Sequence, residues 1–210
     1  GVDTSASTQK PHAVKLNWKL APGHRLSFGY NRSEDDALRL MRPNMVVFGP
    51  QNNKLLPSNL ARDTSTLGYQ YSGEGVVRSA DVTVYDEQHK NTRTVAARSY
   101  GEQSAGSGLV ATLESQVGSH RLKYGVNVQR LTSSALNPVN QFNPAYVNGA
   151  TNSTSETAQV NGVFVEDKLA LTQQLQLSLG ARYDSYSLRD NHAQQFNSSG
   201  VSPSAALSFA

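Results

Sequence analysis

Five histidines, an acidic trio and two methionines carry the reactive chemistry of this 210-residue chain. His12, His24, His89, His120 and His192 are dispersed, and no HExxH or GxSxG motif is present. There is no cysteine, which excludes disulfides and thiolate metal sites. Glu34-Asp35-Asp36 offers carboxylates, but a calcium loop needs oxygen donors at defined spacing and usually a glycine, so the run reads as solvated charge. Met41 and Met45 flank Arg42-Pro43-Asn44; thioethers suit copper, yet two of them define no site. Gly73-Glu74-Gly75 and Gly106-Ser107-Gly108 precede no helical pattern, so neither cradles a phosphate. The net charge of +3 is mild and its basic residues are scattered, which argues against a nucleic-acid partner. The chain is therefore read as a non-enzyme with no catalytic residue, no resident metal and no cofactor.

The elements that would position any binding residues are strands. Period-two alternation recurs along the chain, and a helical period hardly appears. Val14, Leu16, Trp18 and Leu20 interleave with Lys15, Asn17 and Lys19. Leu26, Phe28 and Tyr30 interleave with Ser27, Gly29 and Asn31, and Leu67, Tyr69 and Tyr71 with Thr66, Gly68 and Gln70. The same plan returns at Ala80–Val84, Leu109–Leu113, Leu122–Val128, Leu175–Tyr183 and from Val201 onward. Near Val160–Leu171 it blurs, because Asp167 shares the apolar parity and Phe164 does not.

The connections after Leu20, Tyr71, Val117 and Leu171 take only a few residues. Those between them look long, about 29, 17, 24 and 10 residues, and loops beyond roughly 12–15 residues are uncommon in compact domains. Short and long are expected to alternate, which puts all the short turns at one end of the strands. Outer-membrane barrels have that asymmetry, with short periplasmic turns and long extracellular loops. Each crossing needs about 9–11 tilted residues. In that reading Lys15, Glu114, Lys123, Arg182 and Asp184 line a wet lumen. The other parity faces lipid, with Trp18, Tyr30, Tyr69, Tyr71 and Tyr183 in the interfacial belts. His12, His24 and His120 are expected near the short-turn end. The chain opens on polar GVDTSASTQK and stops within a strand-like stretch, so it reads as part of a longer barrel. Two rivals remain: a passive porin-like or adhesive barrel, and a soluble β-sandwich binding module in which the apolar parity packs a core.

One region adds a family. GVFVEDKLALTQQLQLSLGARYDSYS, followed by SGVSPSAALSFA, resembles TonB-dependent outer-membrane receptors. Glu166-Asp167-Lys168, Leu179-Gly180-Ala181-Arg182-Tyr183-Asp184, and Ser202-Pro203 through Leu207-Ser208 carry the likeness. The resemblance implies an all-β, antiparallel, up-and-down transmembrane β-barrel, here about nine strands of a 22-stranded whole. Residues 1–210 would be one barrel segment, with the plug domain and the remaining strands outside it. It implies a multi-pass protein of the Gram-negative outer membrane that binds and imports a ferric siderophore or haem, energised by TonB through the plug. The implied partners are the iron chelate, outer-membrane lipid and TonB. Ligand-binding candidates at the long-loop end are Arg39, Arg42, Phe48, His89, Arg93, Arg98, Tyr100, Phe142 and Tyr146. Arginine suits anionic chelates and haem propionates, aromatic faces suit flat ligands, and His89 would be the iron-ligating type. Arg182 and Asp184 share a parity and are expected to belong to a wall-lining charge network, pairing with each other, with neighbouring strands or with the plug.

Overall fold

The computed structural model describes residues 7–40, 55–95, 98–136, 155–190 and 193–209. Among the described residues there are nine strands: β1 (Ser7–Ala21), β2 (His24–Leu40), β3 (Leu55–Ser72), β4 (Val77–Val95), β5 (Arg98–Val117), β6 (His120–Leu136), β7 (Ser155–Ala170), β8 (Leu175–Arg189) and β9 (Gln195–Phe209). They form one antiparallel sheet in sequence order, β1 to β9, and the two outer strands remain edges. Consecutive strands therefore pair through hairpins alone, the up-and-down order of a barrel wall.

The short turns fall where the sequence places them. Pro22-Gly23 joins β1 to β2 with Gly23 at φ 77°, a left-handed conformation that glycine adopts without steric cost. The Gly23 carbonyl accepts the Ser72 N–H at 2.8 Å, which ties this turn to the end of β3. Gly118 at φ 58° turns β5 into β6. In the β7–β8 turn Thr172 Oγ1 accepts the backbone N–H groups of Gln174 (3.2 Å) and Leu175 (3.0 Å), replacing ladder partners.

At the other end the structure departs from expectation. The strands run 15 to 20 residues, well beyond the roughly 9–11 of a crossing. The ladder continues from His24↔Tyr71 up to Leu40↔Leu55, and from Ser79↔Glu114 up to Val95↔Arg98. Residues 96–97 alone separate β4 from β5, so the strict alternation of short and long connections fails there. The reason is physical. Backbone pairing does not require alternating hydropathy, and once both faces meet water the period-two signal vanishes while the strand goes on.

Register sorts the side chains. Partners in an antiparallel pair share a face. Val14, Leu16 and Trp18 stand opposite Tyr30, Phe28 and Leu26, which stand opposite Ser65, Leu67 and Tyr69. The row continues from Leu67 through Val84, Leu109 and Val128, and from Tyr69 through Val82, Ala111, Val126, Val163, Tyr183 and Val201. One apolar face thus crosses all nine strands. Among the described residues no hydrophobic side chain is buried, and Leu16, Trp18, Leu67, Val84, Val163 and Leu179 are all at least two-fifths exposed. That is incompatible with a sandwich, whose inner parity would pack a dry core.

The rows are also staggered. From His24, the first residue of β2, one row runs through Tyr71, Ala80, Leu113, Tyr124, Val165 and Ala181. Ala181 is six positions beyond Leu175, where β8 begins. The turns therefore step along the strands from one hairpin to the next, which is the shear that lets tilted strands close around an axis. In β8 the apolar stretch Leu175–Tyr183 spans about 27 Å along the strand, or about 20 Å of height at a tilt near 40°, close to the lipid band of such barrels.

Candidate functional site

The candidate site is the polar face. Its short-turn half carries Lys15, Glu114, Lys123, Arg182 and Asp184, which the register places on one side of the sheet. Lys15 stands opposite Gly29, Glu114 opposite Lys123, and Asp184 opposite Gly162. Arg182 and Asp184 pair with each other: Nε donates to Oδ1 at 2.9 Å and to Oδ2 at 2.7 Å, and Nη2 donates to Oδ1 at 2.7 Å. The facing residue must be small, because a Cβ on Gly162 would collide with both side chains. Glu114 accepts from Arg121 at 3.0 Å, and Lys168 pairs with Glu166 at 3.2 Å. Two aromatic rings lie across glycines of the neighbouring strand. A Cβ on Gly108 would fall 2.5 Å from the Tyr85 ring, and one on Gly125 would fall 2.7 Å from Phe164. This resolves the irregular parity near Val160–Leu171: Phe164 covers a glycine on the polar face and keeps the wall low.

The upper half gathers the candidate ligand residues. Arg39 lies one residue before the end of β2, His89 and Arg93 lie in β4, and Arg98 and Tyr100 lie at the start of β5. They were expected in loops; they belong to the ladder, with Arg93 opposite Tyr100 and Val95 opposite Arg98. Glu87 joins His89 Nε2 (3.6 Å) to Arg62 (3.4 Å), and Arg62 stands opposite His89 in register. Arg39 pairs with Asp35 at 2.5 Å, and Ser7 donates to the same carboxylate at 2.6 Å. Arg62 and Glu87 were missed in the sequence, where they sat in a stretch read as loop; the register of Arg62 with His89, and the place of Glu87 two residues before His89 on the same face of β4, are the signal. Arg42, Phe48, Phe142, Tyr146 and His192 lie outside the described residues. Among the described residues no three His, Asp or Glu side chains come together as a metal site.

The apolar face changes character along the same strands. At its short-turn end Trp18, His24, Tyr69, Tyr71 and Tyr124 form a belt: His24 Nδ1 meets Tyr69 Oη at 2.8 Å, and its ring centroid lies 4.9 Å from that of Tyr71. His24 and Tyr124 extend the expected belt. Asp167, between Leu122 and Leu179 in register, takes His120 Nδ1 at 2.7 Å, while its Oδ1 is buried without a partner. His12 is not near this end; it stands opposite Arg32, high on β1. Above the apolar band the same parity becomes ionic. Tyr30 donates to Asp63 at 2.8 Å, Arg32 lies 3.6 Å from Asp63, and Lys10 donates to Asp36 at 2.9 Å. Asn59 Nδ2 donates to Asp36 at 2.7 Å and to Glu34 at 2.9 Å. The Asn59 and Lys10 hydrogen bonds hold the Asp36 carboxyl below its ordinary value, and Asp36 holds the Lys10 ammonium above its own.

Known proteins share this arrangement. Residues 18–210 match the family described as TonB dependent receptor-like, beta-barrel. A protein named haem transporter BhuA of Brucella ovis is 23% identical over 188 residues, covering 89% of this chain and 27% of that protein. The FrpB iron transporter from Neisseria meningitidis superposes with a TM-score of 0.80 at 15% identity, over 97% of this chain and 34% of that one. The alcaligin outer membrane receptor FauA from Bordetella pertussis gives 0.67 at 10% identity, over 97% and 33%. The chain thus spans 27% to 34% of the length of these proteins, and at such identities the structural likeness carries the fold.

Proposed function

The chain belongs to the TonB-dependent receptor β-barrel family, barrels of the Gram-negative outer membrane, and on that premise we propose that it is one wall of a transporter that binds and imports a ferric siderophore or haem. Energy comes through TonB, acting on a plug domain outside residues 1–210. The apolar face meets lipid, and the polar face lines the lumen with Lys15, Glu114, Lys123, Arg182 and Asp184. The short turns are periplasmic. Arg39, Arg62, Glu87, His89 and Arg93 form the upper lumen wall, where a descending anionic chelate would meet guanidinium groups. The role is binding and passage, with no bond made or broken in the cargo.

The observation that carries this reading is a continuous apolar face over nine strands with no hydrophobic side chain buried among the described residues. In water such a sheet would expose a very large apolar surface, whereas lipid satisfies it and forces the backbone into a closed ladder. Two names among the relatives, a haem transporter and an iron transporter, support the cargo class.

The orientation is tested by single cysteines from Leu175 to Tyr183 in cells carrying the full-length receptor. A water-soluble thiol reagent is expected to label even positions and spare odd ones; the reverse pattern would sink the lumen assignment. Cargo is tested separately by uptake of haemin and of ferric siderophores with and without TonB. Uptake that is indifferent to TonB would favour the passive barrel instead.

A further inference from the structure

The apolar face, followed above its band, differs from one sector of the sheet to the next. On β1 to β3 its charges are matched: Lys10 pairs with Asp36, Arg32 with Asp63, and Glu34 accepts from Asn59. On β5 to β8 the same parity above Val128 carries Arg130 and Arg189 and, among the described residues, no carboxylate. The acids at that height on β5 and β7, Glu102 and Glu156, stand on the opposite parity. Arg130 lies between Ser107 and Gln159, and Lys90 of β4 between Ala61 and Gln103. Neither cation has a hydrogen bond or ion pair among the described residues. Asp86, four residues below Lys90, stands opposite Ser65 and Ser107.

Beside Lys90 the face is concave. A hollow of ≈ 420 Å³ has Ala61 and Ala105 as its floor, with Arg32, Gln88, Lys90, Gln103, Thr132 and Ser134 around it. Its carboxylate, Asp63, is engaged by Tyr30 at 2.8 Å and by Arg32 at 3.6 Å. Height places the hollow at a boundary. Arg130 is ten residues beyond His120, about 34 Å along the strand and about 26 Å of height at a tilt near 40°, just past a lipid band of roughly 25 Å.

We propose that Lys90, Arg130 and the hollow beside them hold the phosphorylated sugar headgroup of an outer-leaflet glycolipid. The proposal rests on the reading of the apolar parity as the lipid side. A lipid seated on Val126 and Val128 brings its headgroup to the level of Arg130. Unpaired cations there select phosphate, and the amide and hydroxyl groups of Gln88, Gln103, Thr132 and Ser134 match sugar hydroxyls. Lys90 and Arg130 stand four residues and two strands apart, about 17 Å, which is too wide for one phosphate ion and suits several linked sugar units. The balanced charges of β1 to β3 offer no such excess, so the site is confined to one sector of the wall.

The test is titration of the delipidated full-length receptor in detergent with lipopolysaccharide, its dephosphorylated form, phosphatidylglycerol and inorganic phosphate. Retained lipid is read by native mass spectrometry and the melting midpoint by thermal shift. Intact lipopolysaccharide is expected to bind at least ten-fold more tightly than the other three. The double variant Lys90→Gln/Arg130→Gln should lose at least ten-fold of that affinity. Arg130→Lys should stay within about two-fold of wild type, and so should Lys10→Gln, which removes a cation from the matched sector. Wild-type affinity in the double variant overturns the site, as does an equal loss in Lys10→Gln. Equal binding of phosphatidylglycerol or of inorganic phosphate overturns the sugar headgroup. Thiol reagent that labels the odd positions of β8 and spares the even ones would instead overturn the orientation, so the two failures are distinct.

Discussion

The two halves of each strand obey different rules. In β2, His24–Tyr30 turns Leu26 and Phe28 to one face and Arg25, Ser27 and Gly29 to the other. Beyond Tyr30 the same parity that carried leucine carries Arg32, Glu34 and Asp36, and the opposite parity is polar as well. The ladder does not notice: partners run unbroken from His24↔Tyr71 to Leu40↔Leu55. Hydrogen bonding makes the strand, and the medium beside it chooses the side chains. In the proposed orientation the lower half stands in lipid, which penalises polar groups on the outer face. The upper half stands in water on both sides and is held by ion pairs and hydrogen bonds such as Tyr30–Asp63 and Asn59–Asp36.

The sharpest way to break this comparison is one charge placed in each half of the same face. Val126→Arg, at mid-band, is expected to cost about 2–4 kcal/mol in refolding of the full-length receptor into lipid vesicles. Ala105→Arg, on the same face but opposite Gln88 and Thr132, is expected to fall within about 0.5 kcal/mol of wild type, as is Asn127→Arg on the polar face. Equal losses at all three positions would mean that no lipid boundary runs between the halves.

Next in size are the turns that close the lower half. Ala at Gly23 must adopt φ 77° and also places a Cβ against the Ser72 carbonyl, whereas Ala at Gly118 has φ 58° and nothing within 4 Å. Gly118→Ala is expected to cost about 1–2 kcal/mol by denaturant titration, and Gly23→Ala measurably more. If the two cost the same, the Gly23–Ser72 contact between adjacent hairpins carries no weight.

At the boundary itself, Tyr30→Phe removes the bond to Asp63 and is expected to lose about 1 kcal/mol in the same assay. An unchanged midpoint would detach this tyrosine from the joint between the halves.

The smallest effect is a pH dependence confined to the upper half. Asp36 has a folded-state pKa below its ordinary 3.8, through its Asn59 and Lys10 hydrogen bonds. Its contribution is therefore fully present above that ordinary value and is lost as pH falls through the lowered one. Lys10 is held above its ordinary 10.5 by Asp36, so its share persists up to that pH and fades as pH rises through the raised value. The melting difference between wild type and Asp36→Asn should be level through neutral pH and shrink toward zero in strong acid. A difference that grows on acidification would contradict the assignment.

Most of the lower half was legible in the sequence. The parity of Leu175 to Tyr183, the turns after Leu20, Tyr71, Val117 and Leu171, and the shared face of Arg182 and Asp184 all follow from alternation and turn chemistry. An apolar face on one side and a polar face on the other write period two into the residues. The upper half was not legible, because two wet faces leave no period. His89 and Arg93 therefore read as loop residues, and Arg62 and Glu87 were not singled out at all. Asp167 and Phe164, which look like errors of pattern, are explained by His120 and Gly125, neighbours in space on the adjacent strand.

By itself, then, the sequence determined that the chain is a run of amphipathic strands with short turns at one end, because each strand records the two media it separates. Tertiary structure decided how far each strand extends, which residues face one another across it, and how the rows step from hairpin to hairpin. Those follow from backbone pairing between segments distant in the chain, and pairing leaves its mark in geometry, whatever the side chains' affinity for water.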